Sequence, residues 1–277
     1  MAYRADMASS APLGSIASRA RAWRDSAHLE ICDALEPWAY GTVRRATRYP
    51  GYFDFNSVLV EQDPAMSIDD LVDFADQALV GLAHRRIDFD VVAAAERYRP
   101  GFEALGWKVM RLLWMRHETP PPPGPDLAVE QVAYGAVYDL RVAWHREDFP
   151  TEDFGAHYPD ACEVALRRGA RVLAVREADR PIAFAQIERD AQNTEITQVY
   201  VHPDYRGGGR GTAMTRAAIV ASPDAQDLWI VADDEGRPKQ LYARLGFRPA
   251  WTTIEFLRLP GTPVLTAPGP ETPTRPR

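Results

Sequence analysis

Residues 206–212 read Arg-Gly-Gly-Gly-Arg-Gly-Thr, which puts Gly207, Gly208, Gly209 and Gly211 into five positions. A surface turn needs one or two glycines. A run this dense suits a backbone whose bare N–H groups must approach an anion closely. Two common phosphate cradles do not fit. The dinucleotide fingerprint needs glycines at its first, third and sixth places, and counting from Gly207 the sixth is Thr212. A nucleotide P-loop ends in Gly-Lys-Ser/Thr, and this stretch has no lysine. What remains is a strand ending near His202, a short turn at Pro203-Asp204 and unhindered N–H groups leading into a helix N-terminus, a site for phosphate or pyrophosphate. Small residues Ala213, Ala217 and Ala218 let that helix sit close to a sheet.

The elements that must hold this site are legible from periodicity. "DLAVEQV" reads as a strand, "AVYDLRVAWHRE" and "DACEVALRRG" as helices, and "RVLAVREA", "PIAFAQIER" and "TEITQVYVH" as three strands joined by short turns. After the glycine run and its helix, "DLWIVAD" predicts a buried strand. "RPKQLYARLGF" then predicts a helix with Pro238 in its first turn and Gly246 at its C-cap, and "AWTTIEFLRL" a closing strand. Upstream, "ETPPPPGPD" is a stiff proline tract that suits a linker, and "IASRARAWRDSAHLEICDAL" a helix.

Composition bounds the rest. A chain of 277 residues with 46% hydrophobic content can fill two domains of ordinary size. Acids outnumber bases 17 to 14 up to residue 120 and 22 to 18 beyond it, so neither half carries the basic excess of a nucleic-acid binder. The first 25 residues carry charges and no apolar core of signal-peptide length, and no run approaches about 18 apolar residues. A cytoplasmic protein with no membrane partner is therefore expected. Cys32 and Cys162 match no metal spacing and are expected to be reduced thiols.

"RGGGRG", preceded by a strand ending "VYVHPDY" and followed by "LYARLGF", resembles the Gln/Arg-x-x-Gly-x-Gly/Ala loop and its flanks in the GNAT superfamily of N-acetyltransferases. The resemblance covers about residues 126–258. It implies an α/β fold, a mixed and mostly antiparallel sheet flanked by helices that splays to admit acetyl-CoA as co-substrate, with no metal. It further implies that Gly207, Gly208, Gly209, Arg210, Gly211 and Thr212 present backbone N–H groups to the pyrophosphate. The chain at Val199, Tyr200 and Val201 would pair with the pantetheine arm and supply an oxyanion donor, and Arg206 and Arg210 would supply charge. Tyr242 matches the tyrosine that members commonly use as general acid to the CoA sulfur. Glu195, eleven residues before Arg206, matches the catalytic glutamate of the histone-modifying branch and is the candidate base. Many members carry an Asn seven residues before the tyrosine, where this chain has Glu235, so that cofactor contact is not expected. Trp144 and His145 fall where the first helices line the acceptor pocket, and His145 is assigned no catalytic role.

The first half repeats the second at an offset of about 140. Leu105-Gly106-aromatic aligns with Leu245-Gly246-Phe247, and "SVLVEQDP" (57–64) with "QVYVHP" (198–203). Where the glycines should be, the first copy reads "DPAMSIDD", with no glycine and two acids, and Phe102 replaces Tyr242. Tandem GNAT-like domains are therefore expected: a degenerate one at 16–118 without the pyrophosphate loop, which could wall one side of the acceptor pocket, a Pro-rich linker at 119–125, a catalytic one at 126–259, and a disordered tail at 260–277. The expected activity is direct transfer of acetyl from acetyl-CoA to a small-molecule or peptide amine in a ternary complex. The competing class is a non-catalytic acyl-CoA-binding sensor or assembly module, against which the intact Glu195 and Tyr242 weigh. Oligomeric state is left open.

Overall fold

The computed structural model describes residues 14–123, 127–150 and 154–261. The expected tail and the first residues of the chain lie almost wholly outside this range, as does the end of the linker. Helix α1 (Ile16–Ile31) starts where Ser15 accepts a hydrogen bond from the Ser18 N–H, and its buried residues include Ala20, Trp23 and Ile31. A hairpin of β1 (Ala34–Trp38) and β2 (Gly41–Arg45) follows, which the sequence reading did not find. The first half then runs β3 (Ser57–Val60), α2 (Ile68–Ala78), β4 (Arg85–Phe89), α3 (Val92–Ala104) and β5 (Lys108–His117). The second half runs β6 (Val129–Val132), α4 (Tyr138–Asp148), α5 (Phe154–Arg167), β7 (Arg171–Glu177), β8 (Arg180–Arg189), β9 (Asn193–Val201), α6 (Arg210–Val220), β10 (Asp227–Asp233), α7 (Pro238–Arg244) and β11 (Phe247–Arg258).

The internal repeat is real at the level of elements. Strands β3, β4 and β5 with helices α2 and α3 stand in the order of β9, β10 and β11 with α6 and α7. The repeated Leu-Gly-aromatic stretch has a physical cause: Gly106 and Gly246 both end a helix with φ of 76° and 97°, a left-handed conformation that favours glycine. At Gly246 a side chain would also meet the Thr119 carbonyl oxygen at 2.0 Å.

The eleven strands of the described residues form one sheet in the order β1-β2-β3-β4-β11-β5-β10-β9-β8-β7-β6. Strands β4 and β5 are joined through α3 and run parallel with one strand-width between them, and β10 and β11 repeat this arrangement through α7. Each gap is filled by the last strand of the other half, β11 between β4 and β5, and β5 between β10 and β11. Tandem halves are present as expected, but their sheets are merged through exchanged strands.

Alternation along the central strands sorts the faces. Leu113 and Met115 of β5 and Leu228, Ile230 and Ala232 of β10 join the core under α6 and α7. Ile254 and Phe256 of β11 join the core under α2 and α3, where Phe102 stacks on Phe256 at 4.2 Å. On the opposite face, Trp114 and Trp229 pack beneath Trp23 of α1. Phe102 is thus a fully buried core residue.

This exchange makes the halves interdependent. Residues 127–259 expressed alone should be aggregated or unfolded in gel filtration and circular dichroism, because β10 and β11 lose the strand between them, and co-expression with residues 14–123 should restore a soluble complex. A folded, monomeric 127–259 fragment would contradict this.

Candidate active site

Strand β9 pairs with β10 only from Asn193 to Ile196. Its pairing with β8 slips between Gln186 and Ile187, a bulge that leaves Thr197 without an opposite residue and bends the strand. Beyond Ile196, β9 keeps β8 on one side as far as Val201, while its other edge diverges from β10. The buried Thr197 Oγ1 has no hydrogen-bond partner among the described residues. The corresponding pair in the first half stays closed. Strand β3 pairs with β4 to its last residue, Val60, and the Asp90 N–H extends the ladder to the Val60 carbonyl at 2.9 Å. The divergence of β9 from β10 thus leaves an interior strand edge that an extended amide-bearing molecule could join, and the equivalent place between β3 and β4 has none.

At the end of that edge a short 3-10 turn (Pro203–Tyr205) leads to the glycines. Gly207, Gly208 and Gly209 have φ of 90°, 56° and 77°. A side chain there would cost about 1–2 kcal/mol per residue in strain, and open space lies beyond Gly207 and Gly209. Gly209 caps α6 with no side chain folded back on it. The N–H groups of Gly208, Gly209, Gly211 and Thr212 consequently have no acceptor among the described residues. Those donors and the helix dipole are of the kind that favours an anion, and the Arg210 guanidinium stands beside them, its Nη1 donating to the Tyr205 carbonyl at 3.1 Å and lying 3.6 Å from where a Gly208 Cβ would stand. Arg206 is directed elsewhere: its Nε donates to the Val201 carbonyl at 3.0 Å and its Nη2 to Glu147 at 2.7–2.8 Å. The first half inverts this pattern. Ser67 and Asp70 form a capping box over the N-terminus of α2, so that the protein's own carboxylate sits where a phosphate would. A cleft of about 660 Å³ between α2 and α3 survives there, lined by Met66, Ser67, Asp70, Arg97 and Tyr98.

Two titratable groups flank the open edge from opposite faces. Tyr242 on α7 packs edge-on to Phe247 at 6.2 Å on the α6 side, together with Val199 and Val201. Burial pushes its hydroxyl up to about 12, which keeps it protonated at neutral pH, and it has no hydrogen-bond partner among the described residues. Glu195 lies on the α1 side, one residue before the last β9–β10 pair. Burial, with the Glu188 carboxylate opposite it on β8, raises its pKa to about 7. Trp23 donates its indole N–H to Glu195 Oε2 at 2.6 Å.

Several of these neighbours were not found by sequence reasoning. Arg168 stacks over Trp23 at 4.6 Å and approaches Glu188 at 3.5 Å. The buried Arg141 is held by Gln186 at 2.8 Å and lies 3.9 Å from the Tyr134 ring centroid. One signal was available: in "PIAFAQIER" the polar Gln186 and Glu188 alternate with apolar residues, which puts two polar groups on one face of a strand that is otherwise buried. Glu235 forms a two-pronged pair with Arg99 of the first half at 2.6 and 2.8 Å. His145 lies between the rings of Phe149 and Phe154, at 5.1 and 4.9 Å, and Trp144 packs on the core under α4.

A family profile described as "Acetyltransferase (GNAT) domain" matches residues 168–249. A mycothiol acetyltransferase of Actinosynnema mirum is 31% identical over 160 residues, 52% of this chain and 54% of the relative. One of Nocardiopsis dassonvillei is 32% identical over 114 residues, 39% of this chain and 33% of the relative. The chain thus spans about half the length of the first curated relative and a third of the second. Among solved structures, a functionally unknown conserved protein from Staphylococcus epidermidis superposes with a TM-score of 0.64 at 15% identity, over 83% of this chain and 94% of that one. A GCN5-related N-acetyltransferase from Kribbella flavida superposes with a TM-score of 0.54 at 14% identity, over 88% and 96%. These two share the fold across both halves. No helix among the described residues is long and apolar enough to cross a membrane.

If the α6 N-terminus is the anion site, calorimetry should find one acetyl-CoA per chain, and Gly209→Glu should abolish binding by adding strain and a carboxylate. Asp70→Ala in the first half should add no second site. Two sites per chain, or undiminished binding by Gly209→Glu, would refute the assignment.

Proposed function

Because the chain belongs to the GNAT acetyltransferases through residues 168–249, we propose that it transfers acetyl from acetyl-CoA directly to a small-molecule or peptide amine. The observation that carries this reading is the row of unpaired N–H groups at the start of α6 beside the open edge of β9, a combination that the first half lacks. The space beyond the glycines and the absence of side-chain caps fit a pyrophosphate, and the edge at Val199, Tyr200 and Val201, which among the described residues has no strand beside it and is met only at the Val201 carbonyl by Arg206, fits the amides of a pantetheine arm. Several charge-assisted hydrogen bonds at about 1.5–3 kcal/mol each, less ordering costs, suffice for the roughly −8 kcal/mol of a micromolar ligand. Bound acetyl-CoA would supply the activated thioester.

The residues divide the remaining work between the two faces. Glu195 takes the proton from the acceptor nitrogen as that nitrogen bonds to the acetyl carbon. A backbone N–H of β9 near Val199 faces the oxygen as it gains charge. As the carbon–sulfur bond breaks, Tyr242 gives its proton to the departing sulfur and regains one from solvent, to which Glu195 releases its own. A carboxylate with a pKa of about 7 ionises only as the pH rises through neutrality, so the fraction competent as base grows over that range. An ordinary glutamate would already be ionised at pH 5. The curated relatives are named for mycothiol, and small molecules of that kind are the first acceptors to screen.

With an acceptor found by CoA thiol release, Glu195→Gln should lower the rate by about 10²-fold or more at pH 7. It should also remove the rise in rate through neutrality, with partial recovery toward the amine's own pKa. An unchanged pH–rate profile would transfer the role to another group. Tyr242→Phe should leave acetyl-CoA affinity within a few fold and reduce kcat by about 10²-fold. Unaltered kcat where chemistry limits the rate would make Tyr242 a packing residue. Tight binding with no thiol released to any amine would favour the non-catalytic module.

A further inference from the structure

Trp23 belongs to the half of the chain whose equivalent strand pair, β3 and β4, stays closed, yet its indole Nε1 donates to Glu195 Oε2 at 2.6 Å. No other side chain among the described residues hydrogen-bonds to Glu195. Trp23 is 2% exposed and is held on all sides. Ala20, Trp114 and Trp229 pack against it, and the Arg168 guanidinium lies over its ring. One turn earlier on α1, Arg19 grips Asp227 at the start of β10 through two bonds of 2.7 and 3.2 Å. The indole therefore stands in a fixed place relative to β9 and β10.

We propose that Trp23 is a positioning residue for Glu195, so that the first half of the chain orients the carboxylate with which the second half accepts a proton. This rests on the reading of Glu195 as base. A carboxylate on a strand can turn about its side-chain torsions, and an N–H fixed on one oxygen removes that freedom while leaving Oε1 for the acceptor. An indole N–H can only donate, so the bond also favours the ionised carboxylate. Glu188 of β8 and Asp54 of the 3-10 turn (Phe53–Phe55) act in the opposite sense, and Arg168, whose Nη1 is held by Glu30 at 2.8 Å, acts in the same sense.

The test uses the full chain and needs no acceptor. Carbon-13 NMR of carboxyl-labelled glutamate assigns Glu195 as the resonance missing from Glu195→Gln. Trp23→Phe keeps a ring in place without the N–H, and benzothienylalanine at position 23 keeps the whole outline with sulfur in place of N–H. In both variants the Glu195 titration midpoint should rise by about one pH unit, the effect of one charged hydrogen bond. Hydrolysis of acetyl-CoA, with water as acceptor and CoA thiol as readout, should fall by about fivefold at pH 7, as the ionised fraction drops, and recover at higher pH. In the Glu195→Gln background the same changes at position 23 should have no further effect, whereas a purely structural role would cost the same in both backgrounds. A folded benzothienylalanine variant with an unmoved midpoint and pH profile would overturn the proposal. Should Glu195→Gln itself leave the hydrolysis profile as in the wild type, the base assignment would fall instead.

Discussion

Each half of this chain builds a strand–helix–strand crossover whose two strands run parallel with a one-strand gap between them. Backbone N–H and C=O groups facing an empty gap in a buried sheet would be unpaired, at about 1–3 kcal/mol for each group so stranded. Reciprocal occupation by β5 and β11 satisfies both gaps at once and also buries Leu113, Trp114 and Met115 between partners from the other half. The merged sheet, the shared tryptophan layer under α1 and the placement of Trp23 beside Glu195 all depend on that pairing.

On this frame the two halves differ in strand pairing and helix capping at equivalent places. The ladder between β3 and β4 is closed to its end, and the helix that follows is capped by its own serine and aspartate. The ladder between β9 and β10 stops after four pairs, and the helix that follows has only glycine at its cap. The difference comes down to a bulge at Thr197 and to whether the residue at the helix start carries a side chain able to bond its own N–H groups. Small local choices thus decide whether a helix start and a strand edge stay bare or are filled by the chain itself, while the order of strands and helices stays the same.

Most elements of the second half were legible in the sequence, because their periodicities are strong and their ends are marked by residues such as Pro238 and Gly246. "DLWIVAD" begins and ends where β10 does. The glycine run also stood out, since few other needs explain so much bare backbone. The hairpin of β1 and β2 was missed because "ALEPWAYGTVRR" mixes charge, proline and aromatics without a clean alternation, and β1 is an edge strand that tolerates Pro37. The strand exchange was illegible for a different reason: β5 and β11 have the same pattern whichever neighbour they pair with. Nor could sequence place Trp23 beside Glu195, 172 residues away, because only the merged sheet brings α1 over β9 and β10. The turn of Arg206 toward Glu147 was hidden in the same way, since a motif position fixes a residue type and not the direction of a long side chain.

The reciprocal strand exchange also bears on how such a chain can change over generations. A duplicated domain that has lost its ligand site is ordinarily free to be shortened or deleted. Here the first half owns the strand between β10 and β11, so removing it would open the sheet of the second half. Substitutions at the capping box of the first half would leave β5 in place, whereas deleting that half would remove it, so the exchange works as a ratchet: a ligand site can change by drift while the strand that carries the neighbouring sheet is locked in by the backbone.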